Sequence, residues 1–258
     1  MVQKKQKSSR VLMEEMTSDE VGDALKAGKV VALIFSASTE ASGPHLVLGK
    51  HIFRARHLGE QIARELGNAL VAPVMPFAPT TDEARFPGTV NLSAKTFSQV
   101  NQELANSMVK TGFKFIILMG DHDGNQQPLQ ALAHKLDKKY RPRGVRVFYS
   151  GDAYHKSGRQ IEAYLQKKCF PASRHAGVAD TSAMMAVGAE HVRRDKIAMG
   201  GSVPPAGSPL DLGTTGVEGD PRKSSVELGE MILQWKVKNA VAEIRNLIKN
   251  SEARSQKS

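Results

Sequence analysis

The chain has 258 residues, 40% of them hydrophobic and 24% charged, with a formal net charge of +10 and one cysteine. That length buries a sizeable core, the composition argues against intrinsic disorder, and the lone Cys169 excludes an intramolecular disulfide or a cysteine-based zinc cluster. Much of the positive charge lies in the end segments "MVQKKQKSSR" and "KNSEARSQKS"; the interior lacks interleaved basic and aromatic residues, so no nucleic-acid partner is expected.

In chain order, residues 1–10 read as a basic tail, 11–250 as one domain and 251–258 as a second tail. "SDEVGDALKAGK" predicts a first helix, capped by Thr17 or Ser18 and stopped at Gly28. "VVALIFSA", Val30 to Ala37, is short, continuous and β-branched, as a strand buried on both faces should be. "IFRARHLGEQIARELGN" aligns Ile52, Leu58, Ile62 and Leu66 on one helical face and ends at Gly67, and "ALVAPVM" is a second strand.

A helix capped by Ser93 carries Phe97, Val100, Leu104 and Met108 at helical spacing, and "FKFIILMG" follows as a third strand. "PLQALAHKLDKKY" predicts a helix, "VRVFYS" a fourth strand and "RQIEAYLQKK" another helix. A further helix begins in "RHAGVADTSAMM", with Asp180, Thr181 or Ser182 as its cap. The Gly- and Pro-rich stretch 200–221 is a loop, and the last helix carries Leu228, Ile232, Val237, Val241, Ile244 and Ile248 as its apolar stripe.

Strands alternating with helices predict an α/β fold: three layers, α/β/α, around a mainly parallel sheet. The polar loop after every strand then falls on the carboxyl edge of that sheet, where ligands bind. No apolar run approaches the roughly 20 residues of a bilayer span, and no apolar leader region is present, so no membrane association is expected. The chain as given is expected in the cytoplasm, or in the periplasm or outside the cell if an export signal was removed before this numbering.

The loops after the first and third strands carry candidate ligands at that edge. Glu40 and His51 flank "EASGPHLVLGKH", and His122 lies in "MGDHDGNQQ". Water-activating divalent metals are held by three such side chains with one position left open, so Glu40, His51 and His122 are the candidate ligands of one ion. Two imidazoles and a carboxylate suit Zn²⁺, with Mn²⁺ and Fe²⁺ also compatible. Asp121 or Asp123 can act behind His122, as the acceptor that fixes its tautomer. His175 is a candidate proton carrier, because an imidazole titrates closest to neutrality.

Four segments, "EASGPHLVLGKH", "RFPGTV", "DHDGN" and "HAGVADTS", occur in this order on these elements. Together they resemble the motifs of the creatininase (creatinine amidohydrolase) family from about Val30 to Asp195. "GKH" is similar to a subgroup with Gly-Lys-His where creatininase has Gly-Thr-Asp. The resemblance implies a creatininase-like fold and metal-assisted hydrolysis of a C–N bond in a small amide, cyclic amide or formamide.

By the same resemblance His175 passes a proton to the leaving nitrogen, Asp180 orients His175 or a ligand, and His45, Lys50 and Asn125 line the substrate pocket. It also implies a homo-oligomer, with a hexamer as the family precedent. Two departures are visible: the family histidine position is Ser42, and a second family acid falls on Gly124. They set the alternative expectation, a catalytically impaired member that binds or scaffolds as a homo-oligomer.

Overall fold

The computed structural model describes residues 10–198, 200 and 210–255; residues 1–9 and 256–258 of the expected tails and residues 201–209 of the Gly-rich loop lie outside them. Four strands, β1 (Val31–Ser36), β2 (Ala69–Val71), β3 (Phe115–Gly120) and β4 (Arg146–Ser150), form one parallel sheet in the order β2-β1-β3-β4. Alternation along β1 divides the core. Val31, Leu33 and Phe35 face one cluster with Leu58, Ile62, Ile232 and Ile244, whereas Ala32 and Ile34 face another with Phe97, Leu129 and Leu136. All six β1 residues are buried, which is why the strand reads as an unbroken apolar run.

The first layer of helices is α1 (Ser18–Lys26), α3 (Ala94–Thr111) and α4 (Asp123–Tyr140). The second is α2 (Lys50–Leu66), α5 (His155–Lys167), α6 (Val178–Val187) and α7 (Val226–Ser255). Local chemistry sets several ends as expected. Thr17 caps α1 in a reciprocal arrangement with Glu20, Ser93 accepts the Thr96 N–H at the start of α3, and Gly67 closes α2 in the left-handed region at φ 82°.

Several boundaries differ from the sequence expectation, among them the start of α5, at His155 rather than Arg159. β2 is shorter, because Pro73 has no N–H; pairing resumes at Met75, whose N–H donates to the Phe35 carbonyl at 3.0 Å. Helix α4 starts before Pro128, at Asp123, with His122 as the N-cap whose side chain accepts the Gly124 N–H. Helix α6 starts after Gly177, so Asp180, Thr181 and Ser182 lie inside it rather than capping it. Helix α7 runs on through Ser255, past the Asn250 end read from its apolar stripe.

A small antiparallel pair, β5 (Ser173–His175) with β6 (Glu218–Gly219), was not legible in the sequence. It fixes His175 beside the main sheet, and the Arg174 guanidinium clasps the fully buried Glu218 at 2.6 and 2.7 Å. Among the described residues no helix is long and apolar enough to cross a membrane.

Candidate metal centre and active site

The loops leaving β1 and β3 and the first turn of α2 converge at the carboxyl edge of the sheet. Glu40 is fully buried at the point of convergence. Its Oε1 lies 2.9 Å from His51 Nε2 and 3.4 Å from Lys50 Nζ, and its Oε2 lies 3.0 Å from His122 Nε2. Burial opposes ionisation of Glu40, but His51, His122 and Lys50 outweigh it and hold the carboxyl well below its ordinary range.

His51 is oriented from behind. Its Nδ1 donates to Asp121 Oδ2 at 2.8 Å, the arrangement in which an imidazole presents Nε2 to a cation. Burial works against its protonated form, but Glu40 leads the groups that raise its pKa. Asp121 also accepts from Arg54 Nε at 2.7 Å, and Arg54 Nη1 donates to Asp180 Oδ1 at 2.6 Å. Although Asp121 is buried, Arg54 and His51 bring its carboxyl down to about 2.

Asp121 therefore serves His51 and not His122. His122 Nδ1 instead accepts the Gly124 N–H at 3.1 Å, and burial pushes the His122 pKa down to about 4. Asp123 is exposed at the start of α4 and contacts neither ring.

His175 Nε2 donates to the Ala41 carbonyl at 3.0 Å, which leaves Nδ1 facing Glu40 Oε1 at 3.9 Å and Glu83 Oε1 at 3.8 Å. Burial first, then Lys50, lower its pKa to about 3, so the ring is neutral. Asp180 makes no hydrogen bond to His175; it accepts the Ala176 N–H at 3.0 Å and faces Lys50 Nζ at 3.3 Å.

Two of the expected substrate contacts are each held to the scaffold through one atom, while Asn125 Oδ1 and His45 Nδ1 are buried with no hydrogen-bond partner among the described residues. Asn125 Nδ2 donates to the Ser36 and Ala37 carbonyls at 2.8 and 3.2 Å, and His45 Nε2 meets Thr181 Oγ1 at 2.9 Å. Lys50 does reach the centre, as the cation between Glu40 and Asp180.

Glu83 and Arg54 are the site residues that sequence reasoning missed. Glu83 belongs to the loop after β2 and is only 3% exposed; burial and the nearby Glu40 charge push its carboxyl up to about 7. One atom each from Glu40, Glu83 and His122 lie within 4.8 Å of one another, as donors around one ion would. Nothing local distinguishes Glu83 from a solvated loop acid. Arg54 did leave a signal: 51, 54, 58 and 62 share a helical face, so Arg54 lies in line with buried Leu58 and Ile62.

The fit to a divalent metal rests on the donors themselves. Glu40 Oε2 is buried and makes no aligned hydrogen bond, an unusual state for a carboxylate oxygen unless a cation takes it. Carboxylates and imidazoles together form a donor set for Zn²⁺ or Mn²⁺.

The family model described as creatinine amidohydrolase matches residues 14–244. The chain belongs to the creatininase family. It is 23% identical to the creatinine amidohydrolase of Pseudomonas putida, over 92% of this chain and 97% of that one. It is also 23% identical to the mycofactocin precursor peptide peptidase of Mycolicibacterium smegmatis, over 83% of this chain and 84% of that one.

Solved creatininase structures share the fold. A structure titled as creatininase with Mn superposes with a TM-score of 0.75 at 22% identity, covering 92% of this chain and 98% of that one. A mutant creatininase of Zn-Zn type superposes at 0.76 and 23%, with the same coverage. Relatives of the creatininase family thus carry Zn or Mn, and the centre in this chain lies where its own donors converge. A cleft of about 410 Å³ opens beside Ala41, between Phe86 and Pro87 of the loop after β2 and Thr214 and Thr215. Thr214 and Thr215 belong to the Gly-rich stretch 200–221.

Proposed function

We propose that the chain is a metal-dependent hydrolase that cleaves a C–N bond of a small amide, cyclic amide or formamide. The observation that carries this reading is Glu40: a fully buried carboxylate, faced by two imidazoles and an ammonium, with one oxygen lacking a hydrogen bond. Such a cluster would be costly to bury for stability alone. Its relatives by name are an amidohydrolase and a peptide peptidase, both of which act on C–N bonds.

In this reading Glu40, Glu83 and His122, whose donor atoms cluster, would hold one ion, Zn²⁺ first and Mn²⁺ second, with His51, now bonded to Glu40 and Asp121, as the further ligand expected from the sequence. When bound, such an ion lowers the pKa of water and polarises a carbonyl. The remaining work belongs to the chain. Asp121 fixes the His51 ring, and Lys50 holds Glu40 ionised while itself pinned by Asp180. His175, with Nε2 committed to Ala41, has an unprotonated Nδ1 that would take up the proton released by the attacking water and pass it to the leaving nitrogen, and Glu83 faces that same atom. The substrate enters by the cleft beside Ala41, and the basic chain assembles as a homo-oligomer.

Elemental analysis tests the reading directly. Purified protein, reconstituted with Zn²⁺ or Mn²⁺ where needed, should hold about one ion per chain, and the His122→Ala variant should lose it. A screen of small amides, lactams and formamides with the loaded protein should then yield a turned-over compound. Protein that takes up no metal under any of these conditions, or a His122→Ala variant that retains it fully, overturns the assignment.

A further inference from the structure

A second cavity, of about 690 Å³, opens on the far side of Arg54 and Asp180 from the metal centre. Its volume is within the range of small-molecule sites. Ile161 and Leu165 of α5, Phe170, Ala179 of α6 and Ile232 of α7 give it an apolar wall. Lys236 of α7 and Tyr154 line it as well.

Lys236 is the anomaly. It is only 8% exposed, its Nζ donates to the Ala153 carbonyl at 3.0 Å, and the Tyr154 ring lies 5.8 Å from it. Among the described residues no carboxylate oxygen comes within ion-pair distance of this ammonium, so two of its three N–H donors have no protein acceptor. The Tyr154 hydroxyl likewise has no hydrogen-bond partner among the described residues. The neighbouring Arg54 differs, because Asp121 and Asp180 neutralise it. A buried cation without a counter-ion is one of the costlier features a fold can keep. Burial accordingly draws the Lys236 pKa down to about 8, against a smaller opposing pull from Asp121.

From this geometry we infer that the cavity binds a small carboxylic acid with an apolar tail. The carboxylate sits at Lys236 Nζ, beside Tyr154, and the tail lies along Ile161, Leu165 and Phe170. A neutral ligand would fill the apolar wall but leave the ammonium uncompensated; a small inorganic anion would pair with Lys236 but leave the wall wet. The inference does not depend on the metal reading. The two sites are linked by Arg54 to Asp180 at 2.6 Å, Asp180 to Lys50 at 3.3 Å and Lys50 to Glu40 at 3.4 Å, and by Asp121, which accepts from both Arg54 and His51.

Titration calorimetry of the full chain with octanoate, and with octan-1-ol as the tail without the charge, tests the site. Octanoate should bind with one site per chain, and octan-1-ol at least tenfold more weakly. Lys236→Met, which removes a buried charge and should fold at least as well as the parent, should weaken octanoate tenfold or more. Lys236→Gln, which keeps a donor for the Ala153 carbonyl, should do the same. No octanoate binding up to its solubility, equal binding of the alcohol, or unchanged affinity in both folded variants would overturn the inference.

Discussion

Glu83 Oε1 lies 3.8 Å from Nδ1 of His175, joining the loop after β2 to the short strand β5 at the metal centre. The carboxyl is raised to about 7 and the imidazole lowered to about 3, so near neutral pH the pair holds an acid close to its titration point beside a ring that stays unprotonated. Glu83→Gln keeps the shape and removes the charge. The expected outcome is a metal affinity roughly 10- to 100-fold lower, the scale found for groups that support a site, read by competition with a chelator.

These two residues should also bend the stability of metal-stripped protein in opposite directions with pH. Glu83 titrates above its ordinary 4.5, so the folded state holds its proton more tightly, and its contribution declines as pH rises from 4.5 to about 7. His175 titrates below its ordinary 6.5, so the unfolded chain takes up the proton first, and its contribution declines as pH falls from 6.5 towards 3. Urea midpoints at pH 5 and pH 7 should therefore show Glu83→Gln gaining on the parent as pH rises, and His175→Gln gaining as it falls. Each slope is at most about 1.4 kcal/mol per pH unit. Parallel profiles for parent and variants would refute both directions.

Arg54 stands between two buried carboxylates, Asp121 and Asp180. Arg54→Met strands both. The cost should be about 3–5 kcal/mol, the range for breaking a buried ion pair from one side, visible as a marked fall in thermal midpoint. Asp121→Asn keeps acceptors for Arg54 and His51, so it should cost less stability and act mainly on metal affinity.

Gly124 holds the loop after β2 in place. A Cβ there would sit 2.2 Å from the Pro79 carbonyl oxygen, so Gly124→Ala forces backbone apart. Because that loop carries Glu83, the variant should lose metal affinity tenfold or more while the parallel sheet, read by far-ultraviolet circular dichroism, stays intact. A variant that binds metal like the parent would show that the loop moves without carrying Glu83 with it.

Gly229 tests the packing of the closing helix. Its Cβ would lie 1.9 Å from the Ser182 carbonyl oxygen, where α7 crosses α6. Gly229→Ala should cost about 1–3 kcal/mol by overpacking, measured as a lower urea midpoint, with no direct contact to the metal donors.

What the sequence determined by itself was set by local periodicity and by short motifs. Continuous apolar runs such as Val31–Ser36 needed a sheet covered on both faces, and the alternation of strand and helix made that sheet parallel. The polar loops then had to share its carboxyl edge. That was enough to bring Glu40, His51, His122, Lys50 and His175 to one place, and the four motifs pointed to the creatininase family. The pairings were decided only by the tertiary structure. Whether Asp121 serves His51 or His122, whether Glu83 is a solvated loop acid or a buried donor, and whether Asn125 faces a ligand or the Ser36 carbonyl depend on contacts between distant segments. No periodicity records such contacts, because a side chain's charge state and partner are set by the low-dielectric surroundings that folding builds around it. Lys236 is the clearest case: its place in α7 reads as a polar position on an amphipathic helix, and only the packing of α5, α6 and α7 reveals it as a buried ammonium without a counter-ion among the described residues.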